Sequence, residues 1–423
     1  MNGYYDALVP FKNQLKCTDT LTAVWITVQC PSRVPVGKYH QTIKIEGSKH
    51  FTIQLDYNVH HTTIPLKSSI PITVGVENRC MTECLNDKEA DKERQRWVDF
   101  VLSYRMTPVF GTQITPERWQ YEHSFSPWAW NDKRSIRLLN DRRYSCYMLP
   151  FFTLSENELA SLLCNIQKKG KLKESLFYIW DEPAYMEDYE QIKRKVNIIR
   201  KYASDARILT TFFCGPRNGP RKGDLYAVFD YLKHHIHVAT ISLAPCKGNE
   251  EEVQHIRYKV PEGIDWWSYV CWQPGGNEPN FLLQMKGIQQ RAIMWRTWKN
   301  GSQGFLYWNC NIYHKRNPFT YITDMPHGDG ILIYPGDILG CKGPIASARL
   351  ERWRDGAEEM ELLRLVEKNY SKEKADTLLN IVYRSPLSFI EKAHNIPFFR
   401  KELLDQLDKT IPIDYKLRIT DFI

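Results

Sequence analysis

The chain has no run of about 18 apolar residues, so no segment reads as a membrane-spanning helix. Its opening, MNGYYDALVPF, has no basic stretch followed by an apolar one and does not read as a secretory leader. Eleven cysteines are an odd number, and Cys80-x₃-Cys84 has no second pair at zinc-finger spacing. Neither a disulfide framework nor a structural metal is therefore expected. The several cysteines in apolar runs (Cys146, Cys214, Cys246, Cys271 and Cys310) read as small buried hydrophobes. No G-x-S-x-G elbow and no H-E-x-x-H occurs, which leaves serine hydrolases and zincins without support. A Schiff-base lysine or a set of acids at several strand ends is also lacking, which argues against an aldolase or an enolase-like lyase. Basic residues outnumber acidic ones, 57 to 49, but the two signs are interspersed, without the stripe that nucleic-acid binding favours. Internal repeats and low-complexity segments are missing too.

Aromatic residues are plentiful. Thirteen Trp and 23 Tyr exceed what packing usually requires, and aromatic faces stack on sugar rings or on bases. A large aromatic core accounts for the composition equally well. At 423 residues the chain suits one large domain and a smaller one.

Residues 1–66 read as β-structure. Alternating runs begin at Thr22 (TAVWITVQC), His40 (HQTIKIEG) and His50 (HFTIQLDYNV), as expected of antiparallel strands with one buried face. So few strands make a poor domain alone, so the sheet either packs on the rest or belongs to a larger sandwich. From residue 67 to 423 short apolar runs alternate with helices. Eight runs begin at Ile70, Pro108, Cys146, Leu176, Ile208, His237, Trp266 and Gly304. Helical spacing appears between them, as in Trp97, Phe100, Val101 and Tyr104, or Tyr189, Ile192, Val196 and Ile199. Ser155 and Glu158 form a capping box for the helix of Leu159, Leu162, Leu163 and Ile166, and Gly170 ends it. Eight strands buried on both faces and joined by helices indicate an α/β fold, a (β/α)₈ TIM barrel closed by a C-terminal helical tail. An open doubly wound sheet is the alternative, weakened because Val76-Glu77-Asn78 offers no Gly-rich phosphate loop.

In such a barrel the informative positions follow each strand. The fourth run ends in YIWDEP, which places Asp181 and Glu182 directly after a buried strand, beside Trp180 and before Pro183. They serve either as barrel-mouth chemistry or as caps of the helix that follows. Adjacent residues on an extended segment point in different directions, so the two carboxylates cannot flank a glycosidic bond from opposite faces. The pair suits substrate assistance, in which a sugar's 2-acetamido carbonyl attacks its own anomeric carbon. One carboxylate then orients the amide and the other serves as general acid and base. Aromatic and amide groups at other strand ends would complete a hexosamine pocket: Trp267, Tyr269 and Trp272 near the seventh strand, and Tyr307, Trp308 and Asn309 at the eighth. Trp266 is a further mouth position on the seventh strand, and strand alternation turns about half of such side chains into the barrel wall. His234, His235 and His237 imitate a metal cluster but lie at the N-terminal end of a strand, away from the mouth. No metal and no cofactor is expected.

Several stretches together resemble family 123 of the glycoside hydrolases, the retaining β-N-acetylgalactosaminidases. They are YYDALVPF, VWITVQCPSRVPVGKY, YIWDEP, WWSYVCWQPGGNEPNF, GFLYWNCN, GDGILIYPG and SARLERWRDGAEEMELL. The resemblance implies a β-sandwich followed by a catalytic (β/α)₈ barrel and a glycan or glycoconjugate substrate. It also implies that Asp181 orients the acetamide and that Glu182 is the acid/base. In that family the counterpart of DALVPF follows a substantial earlier part of the sandwich. The sandwich is therefore expected to be incomplete here, and if the N-terminus is truncated the resemblance points to a secreted or lysosomal enzyme. A glycan-binding protein with the same barrel but no turnover is the alternative; retention of both carboxylates speaks against it.

Overall fold

A computed structural model describes residues 6–12, 14–15, 22–31, 33–47, 49–115, 120–313, 315–319, 325–390 and 394–409. The tyrosines that open YYDALVPF lie outside this range. The chain divides into two compact units: Met1–Pro10, Leu66–Met360 and Tyr383–Glu391 form the first, and Phe11–Pro65, Glu361–Val382 and Lys392–Ile423 the second.

In the second unit, β1 (Gly37–Ile45) and β2 (Phe51–Val59) pair as an antiparallel hairpin running from Gly37↔Val59 to Ile45↔Phe51. Tyr39 and Tyr57 face each other in this register, and their rings stack at 5.5 Å. The run from Thr22 alternates as a strand should, yet it forms none, and Val24, Ile26 and Val28 are exposed. Alternation supplies a face, but only a neighbouring ladder satisfies a strand's N–H and C=O groups. Among the described residues that run has no such neighbour.

The first unit is built on β3 (Ile72–Glu77), β4 (Thr107–Thr115), β5 (Gln120–Ser124), β6 (Tyr147–Met148), β7 (Ser175–Trp180), β8 (Arg207–Phe212), β9 (Val238–Ser242), β10 (Asp265–Val270) and β11 (Phe305–Tyr307). Their order in the sheet is β5-β4-β3-β11-β10-β9-β8-β7-β6, and every pairing is parallel except β4–β5. The eight apolar runs are thus the eight parallel strands of a barrel. The seam between β4 and β6 departs from the regular pattern. There β5 folds back on β4 and fills the gap, with the Phe125 N–H donating to the Met148 carbonyl at 2.6 Å. Lower in the seam, the Ser145 N–H donates to Thr107 Oγ1 at 3.0 Å.

Burial on both faces explains the unbroken apolar runs. Leu176, Tyr178, Leu209, Val238, Trp267, Tyr269 and Leu306 fill the interior. Phe177, Ile179 and Ile208, on the other face, are equally inaccessible. Each such side chain contributes about 1.5–3 kcal/mol.

The connecting helices are α1 (Asn78–Thr82), α2 (Asp87–Ser103), α3 (Lys133–Leu138), α4 (Glu156–Lys168), α5 (Met186–Arg200), α6 (Ala227–Leu232), α7 (Glu250–Lys259) and α8 (Gly287–Lys299). The Ser155–Glu158 capping box opens α4, and Gly170 follows it at φ +66°. α8 packs against the first turns of α9 (Ala348–Asn369). There Arg291 pairs with Asp355 and Glu359, and the Trp295 indole donates to Glu359 at 2.8 Å. Arg349, also on α9 and 1% exposed, donates to Asp6 Oδ2 at 3.0 and 2.8 Å, and the Tyr334 hydroxyl donates to the same oxygen at 2.7 Å. This contact links the DALVPF and SARLERWRDG stretches.

Candidate active site

The site begins where β7 stops being regular. The register with β8 shifts between Tyr178 and Trp180, and Glu182 then takes φ +45°, a left-handed conformation that L-residues adopt only when the surroundings hold it. Here Thr211 on β8 holds it, because its Oγ1 accepts the Glu182 N–H at 3.0 Å. The same hydroxyl donates to Asp181 Oδ1 at 2.7 Å, and the Tyr178 hydroxyl donates to that oxygen at 2.7 Å as well. Asp181 is thereby fixed through one oxygen, while Oδ2 has no hydrogen-bond partner among the described residues. Neither carboxylate caps α5. That task falls to Asp188, whose Oδ2 accepts the N–H groups of Ala184 and Tyr185, each at 2.8 Å.

Glu182 is half-buried, and its Oε1 accepts a short hydrogen bond from the Tyr269 hydroxyl. Burial first, and then the charge of Asp181, pushes its carboxyl up to about 7; the Tyr269 bond and the charge of Arg217 act the other way. Two adjacent carboxyls thus have different environments. Asp181 is open and fixed by two hydroxyl donors, whereas Glu182 keeps its proton near neutral pH. That division is what an acid and its partner need.

A cavity of about 760 Å³ lies over the pair. His123, from the seam strand β5, lines it and stacks on Tyr178 with centroids 4.3 Å apart and planes 8° from parallel. Burial pushes this imidazole down to about 3, so it meets a ligand uncharged. Across the barrel Trp308 forms another wall. Its indole N–H donates to Asp329 Oδ1 at 3.0 Å, and the Tyr307 hydroxyl donates to the same atom at 3.0 Å. Desolvation raises the Asp329 carboxyl to about 6. Neither His123 nor Asp329 was singled out from the sequence.

The other expected ligand-binding groups separate into two sets. Trp180, Tyr307, Trp308 and Asn309 line the cavity, although Tyr307 is fully buried and the Asn309 side chain accepts the Asn311 N–H at 2.9 Å. Tyr269 reaches the site through Glu182. Trp267 does not line the cavity. It points inward as Tyr269 does, but one layer deeper, where its ring lies so close to Gly304 that a Cβ there would come within 2.2 Å. Trp266, on the opposite face of β10, is 2% exposed. Trp272 is 42% exposed and stacks on Phe213 outside the cavity wall. His237 accepts the Ile208 N–H at the foot of the barrel. Among the described residues no group of three or more His, Cys, Asp and Glu is placed to hold a metal, and no helix is long and apolar enough to cross a membrane.

Residues 92–366 match the family model of the glycoside hydrolase 123 catalytic domain. The chain belongs to glycoside hydrolase family 123. A family 123 glycoside hydrolase from Clostridium perfringens, described in connection with glycolipid glycan hydrolysis, is similar in fold. Its TM-score is 0.55 and its identity 14%, over 93% of this chain and 78% of that one. Lower similarities include a β-D-glucuronidase from Dictyoglomus thermophilum (TM-score 0.38, 10% identity, 75% of this chain and 57% of that one). Another is a β-galacturonidase from Eisenbergiella tayi (TM-score 0.39, 11% identity, 72% of this chain and 55% of that one). No curated protein matches the chain. The family 123 assignment makes the protein a glycoside hydrolase with a glycan substrate, and its matched segment runs from within α2 through most of α9.

Proposed function

We propose that this family 123 enzyme is a retaining β-N-acetylgalactosaminidase that works through the substrate's own 2-acetamido group. The adjacent pair Asp181–Glu182, with unlike environments, carries the reading. In the first step the acetamide carbonyl oxygen bonds to the anomeric carbon while the glycosidic C–O bond breaks, and Glu182 delivers its proton to the departing oxygen. Asp181 accepts the amide N–H through its free Oδ2 and offsets the positive charge that develops in the cyclised sugar. Water then adds to the anomeric carbon from the face the aglycone left and gives its proton to Glu182. The ring reopens, so the β configuration is restored. Tyr178 and Thr211 hold Asp181 in place, Tyr269 holds Glu182, and Trp308, Trp180 and His123 shape the sugar pocket. The glycolipid glycans associated with the Clostridium perfringens relative are reasonable natural substrates for this one.

A panel of p-nitrophenyl glycosides differing at C2 and C4 tests the reading. The β-N-acetylgalactosaminide is expected to turn over fastest, and the galactoside lacking the acetamide at least about 10² more slowly. Comparable rates on these two sugars would remove the substrate-assisted mechanism.

A further inference from the structure

Beyond Trp180 the cavity changes character. Lys195, on α5, lines it with its Nζ 5.9 Å from the centroid of the Trp180 ring and 5.2 Å from that of Phe152. Among the described residues this ammonium has no ion-pair partner and no hydrogen bond, only the two ring faces. The charges around it are already engaged. Lys193 pairs with Glu190, the Asp188 carboxylate caps α5, and Glu187 accepts the Asn218 amide. Gln191, one turn before Lys195, also lines the cavity, and its amide has no partner among the described residues. Lys195 is half-buried, and that burial lowers its pKa.

A partly buried cation is costly unless something compensates it, and aromatic faces return only about 0.5–2 kcal/mol. A ligand oxyanion would supply the rest through charge-assisted hydrogen bonds from Lys195 and a neutral one from Gln191. Trp180 and Phe152 beside them offer apolar ring surface of the kind that borders a sugar. The anion would belong on the leaving-group side. The reacting sugar sits against Asp181 and Glu182, where a further negative charge would be repelled.

We propose that Trp180, Phe152, Gln191 and Lys195 form an aglycone subsite for an acidic sugar, one that carries a carboxylate or a sulfate ester. The proposal rests on the reading of Asp181 and Glu182 as the cleavage centre. It extends that reading from the terminal N-acetylgalactosamine to the residue that bears it.

The test uses the full chain carrying Glu182→Gln, so that ligands survive, and three disaccharides titrated by calorimetry. In each, β-N-acetylgalactosamine is linked to glucose, to glucuronic acid or to glucose 6-sulfate. At low salt at least one acidic disaccharide is expected to bind roughly tenfold more tightly than the neutral one. Which of the two it is distinguishes the carboxylate from the sulfate. The preference should fall toward unity in about 0.5 M NaCl and on adding Lys195→Met, and should persist with Lys195→Arg. Equal binding of all three, or a preference that survives Lys195→Met, overturns the subsite. If Lys195→Met does not fold, as judged by its melting curve, the Lys195→Arg variant and the salt titration of the parent decide the matter. Hydrolysis of p-nitrophenyl β-N-acetylgalactosaminide by the unmodified enzyme is read separately. Its failure alongside an intact acidic preference removes the cleavage reaction and leaves the subsite, and the reverse result does the opposite.

Discussion

Glu182 and Asp181 are neighbours in sequence, but their backbone bonds and hydroxyl partners send them to different tasks, and substitution should expose this. If Glu182 protonates the leaving oxygen, Glu182→Gln costs most with a poor leaving group and little with an activated aryl one. Asp181→Asn removes charge stabilisation that every substrate needs, so its loss, roughly 10² or more in turnover, persists with activated substrates. Rates measured for both variants across a series of aryl leaving groups check this; the same dependence in both would falsify the division of roles. Tyr269 refines it. Its hydrogen bond favours the ionised form of Glu182 and so opposes the rise to about 7. Tyr269→Phe should therefore raise the Glu182 pKa further and move the basic limb of kcat/KM to higher pH. A limb that stays in place, or moves down, would contradict this account of the acid.

At the scale of elements, Gly75 on β3 and Gly111 on β4 make a matched pair. A Cβ at Gly75 would come within 1.9 Å of the Trp308 carbonyl oxygen, whereas one at Gly111 would meet nothing closer than 3.7 Å. The backbone beyond β11 lies directly on β3, and that contact places the Trp308 wall. Gly75→Ala should lower stability by about 1–3 kcal/mol through overpacking and raise KM by shifting Trp308. Gly111→Ala should come close to the parent in denaturant midpoint. Equal midpoints for the two variants would show that β3 yields more readily than its contacts indicate. The same elements show how far sequence can be read. Each barrel strand was legible because burial on both faces leaves an uninterrupted apolar run. β5 was not: QYEHS is short and polar, and what makes it a strand is the gap at the seam and the bonds of buried Glu122 to the Phe151 and Thr153 N–H groups, 2.8 and 2.7 Å. His123 was hidden with it. The Thr22 run failed in the opposite direction, having a strand's alternation but no strand ladder among the described residues. Trp267 shows a third limit, since alternation reports the face of a strand but not the depth of a residue within the barrel. Asp181 and Glu182 could be placed because strand ends and barrel mouths coincide. Asp329 lies in the loop beyond the last strand, and only its position between two glycines marked it.

For the whole molecule, the interior holds groups whose protonation differs between folded and unfolded states, and they pull stability in opposite directions. Burial raises Glu77 to about 6, Glu182 to about 7 and Asp329 to about 6. Each favours the fold at low pH and loses that contribution as pH rises through its folded value. His123, pushed down to about 3, has the contrary sign: below its unfolded value of about 6.5 the unfolded chain gains a proton that the native ring refuses. Between about pH 4.5 and 6 the three carboxyls outweigh the one imidazole, so these groups make the parent's stability fall as pH rises across that window. Removing one of the carboxyls lessens that fall. Asp329→Asn keeps a side chain that can accept from Trp308 and Tyr307 but deletes the titration. Relative to the parent, it should gain stability as pH rises from about 4 to 7, by at most roughly 3 kcal/mol for a shift of this size in a buried group. Its urea midpoint should therefore fall less steeply with rising pH than the parent's. A constant difference between the two across that range would mean that Asp329 titrates alike in the folded and unfolded chains. In that case desolvation would not set its pKa, and the Trp308 wall would be anchored by a carboxylate that stays charged throughout.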